Sequence, residues 1–379
     1  MSDYLSRTVT LTLTEYCNLS CIYCYESNKS KSILTFDTAK KIIDSEFVSE
    51  RNKDVDIIIF ELFGGEPFSE FKLMKDIVAY IKSKKRDTKY RIFITTNGTL
   101  VKEEQKKWLL ENKDVVIVGL SLDGTKEMHD INRSFSFDKI DISFFAKEYP
   151  TQSIKMTISE QTLKDFAKGV IFIHENGFKI NCNLAYGIDW SDSKYAKVLH
   201  EQLEQLISYY LEHRDIEPCS MLNYRIEGIG IDTSKKKTAR RWCGTGNMHT
   251  YDVNGNCYPC QFFMPLSVHE NSRTLDEVNI PEEIPLHMFD KKCQKCVMNE
   301  SCPTCYGSNY CESGDYYYKS DSYCNMIKII LLANSYYKWQ LLKSGCFEND
   351  ENKKMLLLRG IETIQDYLSK DKKFISLLE

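Results

Sequence analysis

The chain has 379 residues, 42% of them apolar, and a formal net charge of −4. That length suits one large α/β unit plus a smaller one, and the slightly acidic balance gives no general electrostatic reason to bind nucleic acid. The N-terminus is polar and no apolar run reaches the length of a membrane span, so a cytoplasmic protein with no membrane partner is expected. Fifteen cysteines then need a role other than disulfides, and metal or cluster ligation is the leading one.

In chain order, Thr8 to Thr14 alternates Thr with Val9, Leu11 and Leu13 and reads as a strand. Cys17, Cys21 and Cys24 follow in C-x3-C-x2-C spacing, with Tyr23 beside the last. Phe36 to Val48 reads as an amphipathic helix capped by Thr35 or Asp37. Asp56 to Phe63 is apolar and β-branched, hence a buried strand, and ends in Gly64-Gly65-Glu66-Pro67. Phe71, Met74, Ile77, Val78 and Ile81 recur at helical spacing. Arg91 to Thr95 is a third strand ending in Thr96-Asn97-Gly98, and a helix from Lys102 to Leu110 follows. Val115 to Ser121 is a fourth, ending in Leu122-Asp123-Gly124. Ser153 to Ile158 and Lys179 to Ala185 are strands five and six, separated by a helix from Leu163 to Asn176 with Gly177 as its C-cap. Tyr195, Leu199, Leu203, Leu206 and Tyr210 mark a long helix after strand six.

Strands alternating with helices predict an α/β fold with a parallel sheet, here a partial (β/α)6 TIM-like barrel. The polar and Gly-rich motifs fall at the C-terminal ends of the strands, where such folds place active sites. Six units leave one side open, wide enough for a substrate larger than a metabolite. The expected organisation is a barrel over 1–213, a linker over 214–242, a small cysteine-rich domain with a buried helix over 243–343, and a helical tail over 344–379. The linker carries basic residues at Lys235–Lys237, Arg240 and Arg241, read as a solvated loop or as a contact for an acidic peptide. Nine cysteines lie between Cys243 and Cys324, and Met326 to Leu342 is apolar almost all round.

Three thiolates so close in sequence suit three irons of a [4Fe–4S] cluster, with the fourth iron open to a small molecule. A zinc knuckle is the alternative, although zinc usually takes four ligands at paired spacings. Gly64 and Gly65 let the backbone approach a ligand, and Glu66 can pair with an ammonium group. The cysteine run followed some forty residues later by Gly-Gly-Glu-Pro resembles the radical S-adenosylmethionine (radical SAM) enzymes. That resemblance implies that Gly64, Gly65 and Glu66 contact SAM, with Glu66 on its methionine amino group. It also implies that Tyr23 and Leu184 lie near the adenine, Ser121 at the ribose and Arg133 at the methionine carboxylate. Asn97 either faces the cofactor or serves its Thr-Asn-Gly turn.

Cys243, Gly255 and Cys260 resemble the opening of a SPASM domain, the auxiliary-cluster module of peptide-modifying radical SAM enzymes. Cys293, Cys296, Cys302 and Cys324 resemble its second half and by that likeness bind one auxiliary iron–sulfur cluster. Cys243, Cys260 and Cys305 are assigned to another, with Cys257, Cys311 or Cys219 as fourth ligand, or an iron open to substrate. The pattern expects a cysteine at Tyr306, where this chain has Cys305 instead. Two zinc ribbons are the alternative. Cys182 and Cys346 read as buried hydrophobes.

The resemblance implies reductive cleavage of SAM to a 5′-deoxyadenosyl radical that takes hydrogen from a ribosomally made peptide. A thioether or carbon–carbon crosslink is the expected product. The related anaerobic sulfatase-maturating enzymes make formylglycine with an Asp base directly after the auxiliary-cluster cysteine. This chain reads Tyr258-Pro259-Cys260-Gln261 there, and Gln is no base at neutral pH. The reading from a different class is a non-enzymatic zinc-ribbon binding protein. The expected partner is an electron donor such as flavodoxin or ferredoxin; since few residues precede Cys17, leader recognition is expected to use the C-terminal unit, the tail or a separate leader-peptide-binding protein. The sequence names no catalytic acid or base.

Overall fold

The computed structural model describes residues 5–84, 89–231, 238–240, 243–245, 248–281, 283–299 and 301–378. Lys235–Lys237 and Arg241 of the basic cluster lie outside the described residues. The chain divides into two compact units, each discontinuous in sequence. The first comprises Met1–Leu122, His129–Lys155 and Cys243–Glu282; the second comprises Asp123–Met128, Met156–Trp242 and Glu283–Glu379.

The first unit is built on four parallel strands, β1 (Ser6–Thr14), β2 (Ile57–Gly64), β3 (Lys89–Thr96) and β4 (Val116–Leu120), joined by α1 (Phe36–Phe47), α2 (Phe71–Ser83) and α3 (Glu103–Glu111). Val9, Leu11, Leu13, Ile58, Phe60, Leu62, Ile92 and Ile94 turn one face of this sheet toward the helices and are fully buried. Side chains of that kind contribute roughly 1.5–3 kcal/mol each when removed from water. Thr35 caps α1 by accepting Thr38 N–H at 3.1 Å, which settles the choice between Thr35 and Asp37. After α4 (Lys126–Asn132) and α5 (Ile142–Glu148) comes β5 (Ser153–Ile158), which forms a two-stranded sheet with β6 (Lys179–Leu184). A parallel bridge between Ser121 and Lys155 joins the start of β5 to the end of β4. The expected partial barrel is thus present.

Residues 243–282, expected to open the C-terminal module, lie in the first unit. The short strand β8 (His249–Tyr251) pairs in parallel with β1, and β9 (Cys257–Tyr258) turns back on it. A buried polar cluster fixes that junction. Glu46 of α1 meets Arg7 of β1, His249 of β8 and the Tyr251 hydroxyl, each at 2.5 Å. Arg7 is 5% exposed and Glu46 2%, so neither charge has water as an alternative partner.

The second unit holds α6 (Phe166–Glu175), α7 (Ser193–Glu212), the strand pair β7 (Thr238–Arg240) and β10 (Glu283–Pro285), and the cysteine-rich stretch with its short helices. The short helices are α9 (Lys291–Gln294) and α10 (Tyr306–Ser313), following α8 (Pro265–Val268) of the first unit. Residues read as a linker are packed: Met221, Leu222, Ile226 and Ile229 are buried, and Asn334 accepts Tyr224 N–H and donates to Met221 O. The apolar helix is α11 (Asp321–Lys343), buried through its middle but exposing Tyr336 and Trp339, so it is not apolar-buried to its end. The tail forms α12 (Glu351–Ser369) and α13 (Lys372–Leu378), with Gly360 against Ile226 O, where a Cβ would sit at 2.3 Å. Among the described residues no helix is long and apolar enough to cross a membrane.

Burial alone would raise the Glu46 pKa, but His249, Tyr251 and Arg7 outweigh it and hold the carboxyl at about 2. A depressed carboxyl stabilises the fold at pH above its unfolded pKa and loses that contribution as pH falls toward its folded value. Glu46→Ala, which leaves Arg7 buried without its counter-ion, is expected to cost about 3–5 kcal/mol at neutral pH. Urea unfolding should show that deficit shrinking below about pH 4, where the unfolded chain takes up a proton that folded Glu46 does not accept until about pH 2.

Candidate functional site

The three cysteines occupy a loop pinned at both ends to β1. Leu34 N–H donates to Leu13 O at 2.9 Å and Glu15 N–H to Ser32 O at 3.0 Å, closing its base. The loop after β2 then presses backbone to backbone against it: Gly65 N–H donates to Thr14 O at 3.0 Å and Glu66 N–H to Tyr16 O at 2.9 Å. A Cβ on Gly65 would lie 2.3 Å from Tyr16 O and 2.8 Å from Cys17 N, so only glycine fits. Gly64 has φ +148°, and a Cβ there would lie 2.4 Å from Thr14 O.

Glu66 is 1% exposed and ties three strand ends together. Oε1 accepts from Phe68 N–H (3.1 Å) and the Thr96 hydroxyl (2.7 Å), and Oε2 accepts from Asn97 N–H (2.8 Å). Burial raises its pKa to about 7 against these hydrogen bonds and the nearby charge of Arg133. The Asn97 side chain serves the turn and the cysteine loop: Oδ1 accepts from Thr99, and Nδ2 donates to Asn18 Oδ1 at 2.9 Å. Ser121 is nearly buried where β4 ends, and its N–H donates to Thr96 O at 2.9 Å. Arg133, also nearly buried, sets its guanidinium 5.5 Å from the Tyr23 ring. Asn132 O accepts Ile22 N–H at 3.0 Å, which brings the stretch around Arg133 onto the cysteine loop. Cys17, Cys21, Cys24, Tyr23, Gly64, Gly65, Glu66, Asn97, Ser121 and Arg133 thus share the first unit, and Leu184, at the end of β6, belongs to the second.

Burial pushes the Cys17 thiol up to about 11, while Leu19 N–H and Lys29 pull the other way. Burial also lowers the Lys29 pKa, but its contacts with Cys24 and Cys17 outweigh that and the net shift is upward. Three thiols on one short loop beside an ammonium suit an anionic iron–sulfur cluster, and the buried carboxylate beyond them suits an amine-bearing ligand.

Cys293, Cys296, Cys302 and Cys324 lie in the second unit and sense one another's charge. Burial and then those neighbours push Cys293 up to about 12, and the same causes raise Cys296 and Cys324. Among the described residues no three His, Cys, Asp or Glu side chains stand close enough to share a single metal ion. Cys260 is buried in the first unit, and Cys243, in the same unit, is exposed with Sγ 2.9 Å from the Thr245 hydroxyl. Cys305 caps α10, accepting Ser308 N–H at 3.4 Å, and its charge adds to the burial that raises Cys311 to about 12. Of the fourth-ligand alternatives, Cys257 hydrogen-bonds Tyr251 and Cys219 is buried against Cys182. Cys182 is the buried hydrophobe expected, whereas Cys346 is half-buried and meets Arg214 Nη1 at 3.2 Å.

One set of residues was not singled out in the sequence. The inner face of the barrel sheet carries Glu61, whose Oε2 accepts from the Thr10 hydroxyl at 3.0 Å and Gln261 Nε2 at 3.4 Å. Lys155 Nζ lies 4.0 Å from Glu61 Oε1 and donates to the Thr95 hydroxyl at 2.8 Å. Protein crowding lowers the Lys155 pKa against the attraction of Glu61. The signal was present as a lone carboxylate within the run Ile57-Ile-Ile-Phe-Glu61-Leu-Phe63, since a charge in a buried strand needs a purpose. Residues 261–266 meet both this face and the cysteine loop: the Thr12 hydroxyl donates to Met264 Sδ at 3.6 Å, Phe262 stacks on Tyr25 at 4.2 Å, and Leu266 O accepts Asn28 N–H at 3.0 Å.

A parallel partial barrel whose first strand ends in a three-cysteine loop, braced by a Gly-Gly-Glu turn, defines an iron–sulfur enzyme scaffold. Residues 11–201 match the Radical SAM superfamily, and the chain belongs to it. Enzymes of this superfamily use a [4Fe–4S] cluster and SAM. The chain is 24% identical over 326 residues to the cysteine-type anaerobic sulfatase-maturating enzyme of Clostridium perfringens, covering 79% of this chain and 85% of that one. It is 37% identical over 129 residues to an uncharacterized Methanocaldococcus jannaschii protein, a match to 34% of this chain and 42% of that relative's length. Among solved structures, native anSMEcpe with bound AdoMet and Kp18Cys peptide superposes with a TM-score of 0.68 at 21% identity, covering 90% of this chain and 99% of that one. Streptococcus suis SuiB bound to precursor peptide SuiA gives a TM-score of 0.55 at 16% identity, covering 85% and 76%. At these identities the two structures establish the fold.

Gly65→Ala should force the β1 and β2 loops apart and cost about 1–3 kcal/mol in urea unfolding. Gly228→Ala, where nothing lies within 4 Å of the new Cβ, should change stability by no more than about 0.5 kcal/mol.

Proposed function

We propose that the chain is a radical SAM peptide maturase that crosslinks a ribosomally made peptide through a thioether or a carbon–carbon bond. The observation that carries this reading is residue 261, an amide lying against Glu61 on the inner face of the barrel, where sulfatase maturation would want a carboxylate. Cys17, Cys21 and Cys24 would hold the cluster with one iron open to SAM. When bound, cluster and SAM together supply a 5′-deoxyadenosyl radical, which takes a hydrogen atom from the peptide.

The chain's own residues bind and orient. Among the described residues, Glu66 Oε2 takes one N–H, from Asn97, of the two it can accept, which leaves capacity for the methionine ammonium. Such a pairing would bring its pKa down from about 7 and keep it charged. Gly64 and Gly65 let the backbone approach the same ligand, and Asn97 steadies the loop. Arg133 offers a guanidinium to the methionine carboxylate, Tyr23 a ring to the adenine, and Ser121 a hydroxyl to the ribose. The role of Leu184 at the adenine rests on the resemblance alone. Inside the barrel, Glu61 is the carboxylate that would take the proton that leaves the peptide, although a substrate would have to displace one of the donors, Thr10 or Gln261, that Oε2 already holds.

Cys293, Cys296, Cys302 and Cys324 are assigned to one fully ligated auxiliary cluster, and Cys243, Cys260 and Cys305 to a second. The electron donor would be a flavodoxin or ferredoxin. Membership of the superfamily weighs against a zinc-ribbon binding protein. Sulfatase maturation remains the second reading, favoured by the relative from Clostridium perfringens that this chain covers over 85% of its length. Glu61 would then have to replace the missing Asp.

Two measurements test this. With Cys17, Cys21 and Cys24 replaced by Ala, reconstituted protein given dithionite and SAM is expected to form no 5′-deoxyadenosine above background; wild-type rates would refute the ligand assignment. With the reduced wild type and SAM, a Cys-containing peptide encoded beside the gene should lose two hydrogens and gain an internal crosslink by mass spectrometry. A peptide bearing Cys-x-Pro-x-Arg should remain unchanged, and a formylglycine product from it would establish the second reading instead.

A further inference from the structure

Lys319 is 3% exposed, and its ammonium lies 2.8 Å from Cys302 Sγ and 2.8 Å from Pro303 O. Among the described residues no carboxylate pairs with it. The two other lysines whose charge reaches Cys324 each have one: Lys292 bonds Asp321, and Lys328 bonds Asp371 at 2.6 Å. A carbonyl and the Tyr323 ring, 5.8 Å away, provide only partial negative charge. A buried ammonium is strongly unfavourable without an anion, and the thiolate side of the four-cysteine set is the anion within reach.

We propose that Lys319 raises the reduction potential of the cluster bound by Cys293, Cys296, Cys302 and Cys324, so that this cluster exchanges electrons rather than only stapling the fold. The proposal rests on the four-cysteine assignment above. One-electron reduction adds a negative charge to the cluster while making and breaking no bond. A fixed positive charge against a ligand sulfur stabilises the reduced form more than the oxidised one, and burial leaves little water to screen it. The N–H···S bond acts in the same direction. Lys292 and Lys328, neutralised by Asp321 and Asp371, contribute less.

The test is a potentiometric titration of reconstituted full-length protein followed by electron paramagnetic resonance. The signal of this cluster is the one that Cys296→Ala removes. In Lys319→Met, poised at the wild-type midpoint, the ratio of reduced to oxidised cluster should fall at least about tenfold, a negative shift of about 59 mV for one electron. Lys319→Gln, which keeps a hydrogen-bond donor without the charge, should fall in the same direction, and Lys319→Arg should stay near the wild type. A midpoint unchanged in Lys319→Met or Lys319→Gln, with iron content retained, overturns the proposal. If both lose the cluster while Lys319→Arg keeps it, the lysine is a structural counter-ion and the proposal is equally wrong. A Cys296→Ala protein with full iron content and every signal intact would instead refute the four-cysteine assignment.

Discussion

The carboxylate of Glu66 is the constraint on which the site depends. It is buried in the first unit and accepts from the loop after β2 and from the Thr96-Asn97 end of β3. Its own N–H and that of Gly65 bind the loop after β1. Three crossover connections therefore meet at one residue, and their relative positions cannot drift independently. Burying that carboxylate is unfavourable, as its raised pKa records, and the three donors offset the cost. The close approach of Gly64 and Gly65 completes the junction on its other side, letting the N–H groups of Gly65 and Glu66 reach Thr14 O and Tyr16 O while the carboxylate holds the end of β3.

Most of the barrel was legible because its signals are local. Strand one alternates Thr with aliphatics, strand two is a β-branched run, and each ends in a polar or glycine motif; the structure shifts their ends by no more than two residues. The cysteine and Gly-Gly-Glu-Pro motifs were legible for the same reason, being contiguous and chemically distinctive. What local pattern could not carry was long-range pairing. His249–Tyr251 is too short to announce itself as a strand, and its place against β1 depends on a buried Arg–Glu–His contact between residues far apart in sequence. The stretch 214–231 reads as a linker because it holds Pro218, Gly228 and Gly230, yet Asn334 of α11 holds it. Glu61 went unnoticed because a single charge in an apolar run reads as an interruption until the register sets it beside Thr10.

The inner face of the sheet has its own logic. Thr10, Glu61, Thr95 and Lys155 make it polar where the outer face, apart from Arg7, is apolar. The Glu61–Lys155 separation of 4.0 Å is longer than a hydrogen bond, so the two charges are neighbours rather than a closed pair. Gly119 serves the same face: a Cβ there would lie 2.8 Å from the Phe93 ring, so its absence makes room for an aromatic platform beside the charges. A surface with donor, acceptor and ring side by side suits peptide groups better than a purely apolar ligand.

The pairing of β8 with β1 also imposes an order of assembly. Val9 is matched to His249, about 240 residues later, and synthesis at roughly 5–20 residues per second takes about 12–48 s to cross that interval. The cysteine loop leaves the ribosome long before Phe262 can stack on Tyr25 or Leu266 can accept Asn28 N–H. During that time the loop is not held by the far end of the chain. A cofactor delivered then meets a loop still free to adjust, whereas after β8 has docked its Tyr25 and Asn28 are held by Phe262 and Leu266.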